Sequence, residues 1–316
     1  MDISLREMRV LLAVSAHRNL SRAAAELRTA QSNVSRIVAG IESRLGHRLF
    51  ERGAHGLDPT DQGAIVCDAA RRVVNAYEAE MQSVEDRLGG AVGRVRLACV
   101  PSVSSVLIPK VLRLMRARFP GVEVSFTDAN SSQVRQMIDD RRADIGVAGE
   151  ARRQPALITV PYLDDRVVAL VSRENALAER GEVSWVDFAD STAVLLPPGT
   201  SVRSIVDGAF LQSGVAPGAR LIAPHIGLAA ALVGEGLGIT AVPALTLGLF
   251  DDPGVVRRPI VAPEVSRSLS YILRRDIAQS EPVSAAVQVL EALREERVPL
   301  PDGVAWVERA SSTISE

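Results

Sequence analysis

The sequence predicts a small all-α unit, then one long helix, then a larger α/β domain. Three observations carry this. Apolar residues before Gly46 recur at three- and four-residue spacing, broken by short polar stretches. One uninterrupted apolar stripe then runs from Val66 to Leu88. From Gly93 onward, short apolar runs alternate with helical patterns, as in an α/β domain with mostly parallel sheets.

Composition bounds the reading. A chain of 316 residues has room for two or three domains, each with its own core. Its 47% hydrophobic content, 23% charged content and net charge of −2 fit a soluble globular protein. The opening segment carries Asp2, Arg6, Glu7 and Arg9, unlike a secretory signal. No apolar run approaches the roughly 20 residues that cross a bilayer. Cys67 and Cys99 are the two cysteines, each in an apolar-periodic segment. A reducing cytoplasm suits them; a disulfide framework or thiolate metal site does not. No cofactor, metal or membrane association is expected.

The first sixty residues justify the helical unit. Leu5, Met8, Leu11, Leu12 and Val14 mark one helix. A second starts at Asn19-Leu20-Ser21, with Ser21 as the expected N-cap of Arg22 to Leu27. Ala23, Ala24 and Ala25 let another helix approach closely, and Arg28-Thr29-Ala30 breaks the run. A third helix spans Gln31 to Leu45, with Val34, Ile37, Val38, Ile41 and Leu45 on one face and Gly46 as its stop. Two short helices joined by a tight turn are a helix-turn-helix. The exposed start of its second helix, Gln31, Ser32, Asn33, Ser35 and Arg36, would then enter the major groove. Amides and guanidinium groups pair with base edges, and hydroxyls reach bases or phosphates. Arg48 to Arg52 and the turn from Gly53 to Gly56 would add a wing. Between His17 and Gly56, Arg18, Arg22, Arg28, Arg36, Arg44, Arg48 and Arg52 outnumber Glu26, Glu42 and Glu51, a modest footprint for phosphate. Periodicity alone also allows a three-helix packing unit that binds no nucleic acid.

These residues resemble the LysR-type regulator family. The run Leu20-Ser21-Arg22-Ala23-Ala24, Leu27, Gln31, Ser35-Arg36, Ile41-Glu42, Leu45-Gly46 and Leu49-Phe50-Glu51-Arg52 follows that family's spacing, and Thr60-Asp61-Gln62-Gly63 closes it. Ser32 stands where the family usually has proline, and Asn19, Ile41 and Pro59 also depart from its pattern. The resemblance implies a winged helix-turn-helix whose Ser21, Arg22, Gln31, Ser32, Asn33, Ser35, Arg36 and Arg52 meet double-stranded promoter DNA. RNA polymerase is a further partner of such regulators.

The long helix is expected from Thr60, its cap, to Leu88, with Gly89-Gly90 as the stop. Val66, Ala70, Val73, Tyr77, Met81, Val84 and Leu88 form its stripe. At 1.5 Å per residue such a helix is about 40 Å long. The stripe suits either the core of its own domain or, as the resemblance implies, a second subunit in a homodimer or dimer of dimers.

In the remainder, strands are expected at Arg94–Val100, Val122–Phe126, Asp144–Ala148, Val167–Val171, Ala193–Leu196, Ile239–Val242 and Leu269–Leu273. A last helix runs from Val283 to Arg294, and the tail after Pro299 reads as polar and loosely held. Ile108-Pro109, Phe119-Pro120-Gly121-Val122, Ala143 to Val147, Gly236 to Ile239 and Val242-Pro243 resemble the family's effector domain, itself similar to periplasmic binding proteins. The resemblance implies two subdomains, with crossovers near Tyr162–Asp165 and Val265–Arg267 and a small-molecule effector in the cleft. Ser102 and Ser104 follow the first strand at a helix N-terminus, and Thr200 and Ser201 open another, where free N–H groups favour an anion. Ser131, Gly149 and His225 are further candidates for the cleft.

The boundaries expected are 1–59 for the winged helix-turn-helix, 60–90 for the linker and dimerisation helix, 91–300 for the effector domain and 301–316 for the tail. Subdomain I takes about 91–163 and 267–300, and subdomain II about 164–266. Two other classes compete. A solute-binding protein would need export, and an enzyme would need a reactive constellation that the sequence does not display. Gly234-Glu235-Gly236-Leu237-Gly238 precedes a strand rather than following one, so it is no dinucleotide loop. His17, His47, His55 and His225 lack the spacing of a helical metal pair.

Overall fold

The structure is a computed structural model that describes residues 2–53, 56–88, 93–149 and 154–308. The chain divides into two compact units, Met1–Gly90 with Asp139–Arg142, and Ala91–Ile138 with Ala143–Glu316. Ala54 and His55 of the expected wing turn, the Gly89-Gly90 stop and the end of the tail from residue 309 lie outside the described residues.

The first unit begins with α1 (Leu5–His17), α2 (Leu20–Glu26) and α3 (Gln31–Leu45). Leu11, Val14, Ala23, Val34 and Ile41 are fully buried between them, so the apolar spacing read from the sequence is the core. Ser21 does not cap α2. Asn19 does, because its extended backbone places Oδ1 2.9 Å from the Ser21 N–H and 3.1 Å from the Arg22 N–H. This frees the Ser21 hydroxyl on an exposed first turn. Gly46 ends α3 in the left-handed region, φ 71°, as expected.

The wing is a hairpin of β1 (Phe50–Gly53) and β2 (Gly56–Pro59). Its base is anchored where the Leu57 N–H donates to the Arg18 carbonyl at 2.8 Å. Helix α4 (Asp61–Leu88) follows, with the Thr60 hydroxyl accepting from the Gly63 N–H at 3.0 Å. Gly63 is obligatory, since a Cβ there would lie 1.9 Å from the Leu49 carbonyl oxygen. The stripe of α4 divides. Cys67, Ala70 and Val74 are buried in this unit, whereas Val73, Tyr77, Met81 and Val84 are each more than 40% exposed.

The second unit is an α/β domain with two cores. Its main sheet has the order β4-β3-β5-β12-β6-β11-β7. In chain order the elements are β3 (Gly93–Cys99), α5 (Pro101–Arg118), β4 (Val122–Asp128), α6 (Ser131–Asp139), β5 (Ile145–Gly149), β6 (Leu157–Ser172) and β7 (Val183–Ser184). Then come β8 (Thr192–Leu195), α7 (Ser201–Ser213), β9 (Ala219–Ile222), α8 (Ile226–Gly234), β10 (Thr240–Pro243) and β11 (Val255–Val261). The last are β12 (Ser266–Arg274), α9 (Glu281–Glu295) and β13 (Val304–Trp306). One core gathers Leu97, Val111, Met115, Val134, Ile145 and Leu290 around β3, β5 and β12. The other gathers Val167, Ala169 and Val171 of β6 with Trp185, Phe188, Val206 and Phe210. Leu170, on the opposite face of the same strand, packs with Ala230 and Val233 of α8, the two-residue alternation of a strand covered on both sides.

Three expectations need correction. The sheet is mixed rather than mostly parallel: β6 is antiparallel to β10, β11, β12 and β13. Strands that carry the chain from one core to the other and back must oppose each other. Next, β6 starts ten residues earlier than the Val167–Val171 strand and runs unbroken through the expected crossover. Pro161 is accommodated by a register shift, with Leu163 opposite Leu269 and Pro161 opposite Ser270, which leaves Tyr162 unpaired. Finally, the segment after Pro299 is held. Strand β13 pairs with Leu163–Asp165, and the Trp306 indole donates to the Val298 carbonyl at 3.0 Å while packing edge-on against Tyr162.

Candidate DNA interface and effector site

Helix α3 starts without a side-chain cap, because Ala30 occupies that position. Gln31, Ser32, Ser35 and Arg36 all lie exposed on its first two turns. None of these four side chains has a hydrogen-bond partner among the described residues, so their donors and acceptors are available to another molecule. Asn33 differs: it is half-buried, and its amide nitrogen donates to Thr29 Oγ1 at 3.0 Å, which fixes the turn between the helices.

Ser21, Arg22 and Arg52 are exposed as well. Ser21 and Arg52 come together in an open depression of about 300 Å³ between the start of α2 and the wing, which Arg18, Asn19, Gly53 and Gly56 complete. Arg18 was counted in the arginine footprint but not among the residues expected to meet DNA. It sits in the left-handed region at φ 50°, ending α1, and pairs with Asp58 at 3.2 Å. A side chain at Gly56 would meet the Arg18 carbonyl at 2.4 Å, so the depression depends on that glycine. Four polar side chains, Arg18, Asn19, Ser21 and Arg52, around a concave surface suit a phosphate group.

The expected effector residues divide into two kinds. Thr200, Ser201 and His225 belong to helix starts. Thr200 caps α7, its hydroxyl accepting from the Arg203 N–H at 3.2 Å and donating to the Pro197 carbonyl at 3.1 Å. Ser201 is the half-buried first residue of α7. His225 is exposed and caps α8 through Nδ1, which accepts from the Leu228 N–H at 3.2 Å.

Ser102, Ser104, Ser131 and Gly149 are buried in the other core region. Ser131 and Gly149 are brought together, with the Gly149 N–H donating to Ser131 Oγ at 3.3 Å. Ser104 Oγ has no partner among the described residues. Ser102 Oγ accepts from Arg267 Nη2 at 2.7 Å.

Arg267 and its partner Asp165 were missed by the sequence reading, which took both as crossover positions. They stand directly opposite each other on β12 and β6. Arg267 Nε lies 2.8 Å and Nη2 2.7 Å from Asp165 Oδ2, while Asp165 Oδ1 accepts from the Leu245 N–H at 2.9 Å. Both side chains are buried. Burial pushes the Asp165 carboxyl up despite the guanidinium beside it, and it pushes Arg267 down. A basic and an acidic residue 102 positions apart gave no local signal; only the pairing of the two crossover strands could have revealed them.

A winged helix-turn-helix and a two-core α/β unit with polar groups buried at a helix start define a DNA-binding regulator with an effector domain. Two family profiles say which kind. "Bacterial regulatory helix-turn-helix protein, lysR family" matches residues 5–64, and "LysR substrate binding domain" matches residues 88–294. The chain belongs to the LysR family of DNA-binding transcriptional regulators. It is 24% identical over 273 residues to a hydrogen peroxide-inducible genes activator of Pectobacterium carotovorum, covering 86% of this chain and 90% of that one. Full-length OxyR from Pseudomonas aeruginosa, a cysteine-to-aspartate variant, has a similar fold with TM-score 0.65, 17% identity and 98% and 99% coverage. Full-length CbnR in complex with its target DNA has TM-score 0.68, 22% identity and 92% and 99% coverage. Among the described residues, no helix is long and apolar enough to cross a membrane.

Proposed function

We propose that the protein acts in the cytoplasm as a homo-oligomer, reading a promoter through α3 and altering that binding when a small molecule occupies the second unit. The observation that carries the DNA reading is the set Gln31, Ser32, Ser35 and Arg36, exposed and without internal partners on the opening turns of one helix. Ser21, Arg22 and Arg52 take phosphates, and Asn33 acts through its bond to Thr29. Residues 60–90 serve as the linker helix, and the exposed Val73, Tyr77, Met81 and Val84 meet the same face of a second copy. Two recognition helices then reach half-sites about one DNA turn apart. The effector lies between subdomains I and II, against Ser102, Ser104, Ser131, Gly149, Thr200, Ser201 and His225. Its binding must favour one quaternary arrangement over another, or it would change nothing. No catalytic step is assigned.

A peroxide signal, the one in the name of the Pectobacterium relative, is not supported for this chain. Thiol oxidation needs an accessible thiolate. Cys99 is the one cysteine of the second unit, and burial raises its thiol to about 12. The test is binding of the purified protein to the DNA directly upstream of its own gene, at two salt concentrations. Binding through 6–10 phosphates weakens by about 10³–10⁵ between 50 and 200 mM salt. Gln31→Ala and Arg36→Ala should each cost about 1–3 kcal/mol at the specific site. Full affinity in both variants would remove α3 from the interface.

A further inference from the structure

We propose that residues 296–308 form a strap across the junction of the two cores, restraining their relative movement and so setting how easily an effector shifts the protein. The role rests on the effector reading of the second unit. Strand β6 passes between the cores through Asp164, Asp165 and Arg166, with Leu163 in the first core and Val167 in the second. Strand β12 returns through Ser266, Arg267 and Ser268, with Val265 against the second core and Leu269 in the first. All six junction residues are polar. Bending at this place therefore exposes little apolar surface, as a hinge between two packed bodies requires.

Strand β13 adds a third strand here. Val304, Ala305 and Trp306 stand opposite Asp165, Asp164 and Leu163. A backbone bond closes each end: the Arg166 N–H donates to the Gly303 carbonyl at 2.9 Å, and the Val307 N–H to the Tyr162 carbonyl at 3.0 Å.

The two ends are anchored differently. Toward the first core the anchor is apolar, with Val298, Leu300 and Trp306 packed against it and Trp306 edge-on to Tyr162. Toward the second core it is polar: Asp302 pairs with Arg257 of β11 at 3.0 Å, its side chain 89% exposed. An exposed pair holds weakly and is screened by salt. The strap is thus fixed to one core and releasable from the other. The turn that presents Asp302 depends on Gly303, at φ 89°, where a Cβ would lie 3.0 Å from the Ala244 Cβ. This segment lies past residue 294, where the match to the family's effector domain ends. A restraint of this kind favours one arrangement, and an effector overcomes it only through stronger binding to the other.

Hydrogen exchange of the full-length chain, followed by mass spectrometry, tests the strap on residues it does not touch. Removing it with a stop codon at Pro299 should speed exchange in Ser266–Leu269 by about tenfold or more, because exchange there follows opening of the junction. Helices α5 and α7, within the cores, should keep their rates. Where that chain does not fold, Gly303→Val serves instead: it strains only the exposed turn and should give the same pattern. Unchanged exchange in Ser266–Leu269 would overturn the proposal, since the junction would then be held without the strap. Equal acceleration throughout both cores would overturn it too, by making the segment an ordinary part of the fold. Failure of the regulator reading looks different: promoter binding would be absent or independent of salt, with the exchange pattern still as expected.

Discussion

Replacing Asp165 by leucine leaves the Arg267 guanidinium buried without its counter-charge and the Leu245 N–H without its acceptor. Breaking a buried ion pair from one side costs about 3–5 kcal/mol. For a folding unit of this size, each kcal/mol lowers the melting temperature by about 2–4 °C, so the expected fall is roughly 6–20 °C. The double variant Asp165→Leu/Arg267→Met removes both charges. An apolar replacement of a buried pair is neutral or stabilising by about 1–4 kcal/mol, against which the orphaned Leu245 N–H costs about 1–3 kcal/mol. The double variant should therefore melt well above the single one, close to the unaltered protein. Tryptophan fluorescence isolates the relevant transition, because Trp185 and Trp306 are the only two tryptophans and both belong to the second unit. A single variant within 1 kcal/mol of the parent, or a double variant no better than the single, would refute the reasoning that the pair is a desolvated, mutually dependent unit.

Three further outcomes are expected. Tyr77→Asp with Met81→Glu places charge on the exposed stripe of α4 and should shift the protein to monomer in sedimentation; an unchanged oligomer would move the interface off this helix. Cys99 should resist iodoacetamide at pH 8 in the native protein and react in denaturant, because its buried thiol ionises only near 12; rapid native labelling would show that β3 opens. The hydrogen bond from Arg44, with help from Ser4, holds the Glu7 carboxyl below its usual value. A depressed carboxyl stabilises the fold above its unfolded value near 4.5 and loses that contribution as pH falls through the lower folded value. Hydrogen exchange in α1 should accelerate over that acidic window, and Glu7→Gln should flatten the acceleration; identical pH profiles would exclude the linkage.

The legible parts of the sequence were those with local causes. Helix α3 ends where Gly46 permits a positive φ, and α4 starts where Thr60 caps it. The exposed polar run at Gln31 to Arg36 needed only helical spacing to be placed on one surface. Long-range causes were not legible. The first ten residues of β6, Leu157 to Arg166, were missed because the chain near Tyr162–Asp165 was taken for a crossover, whereas pairing with β12 and β13 makes this stretch strand. All four residues of β9 are exposed, so burial imposed no alternation to detect. Ser21 was preferred to Asn19 as a cap because both types suit the role, and only the backbone decides between them. The hydroxyls expected at the effector site were read from helix starts, while Arg267, which donates to one of them, Ser102, arrives from 165 positions away.

The position of β12 in the sheet has a consequence for synthesis. That strand lies between β5 and β6, and β13 then adds to β6, so the last fifty residues of the second unit supply its centre rather than its margin. The first unit has its own core and needs none of them. At about 5–20 residues per second, a ribosome takes roughly 10–45 s to travel from Leu88 to Trp306. For that interval the nascent chain carries a finished DNA-reading head and an unfinished sensor. A stop codon placed before Ser266 should therefore yield a product that occupies promoters without answering to any effector, a dominant allele rather than a null one.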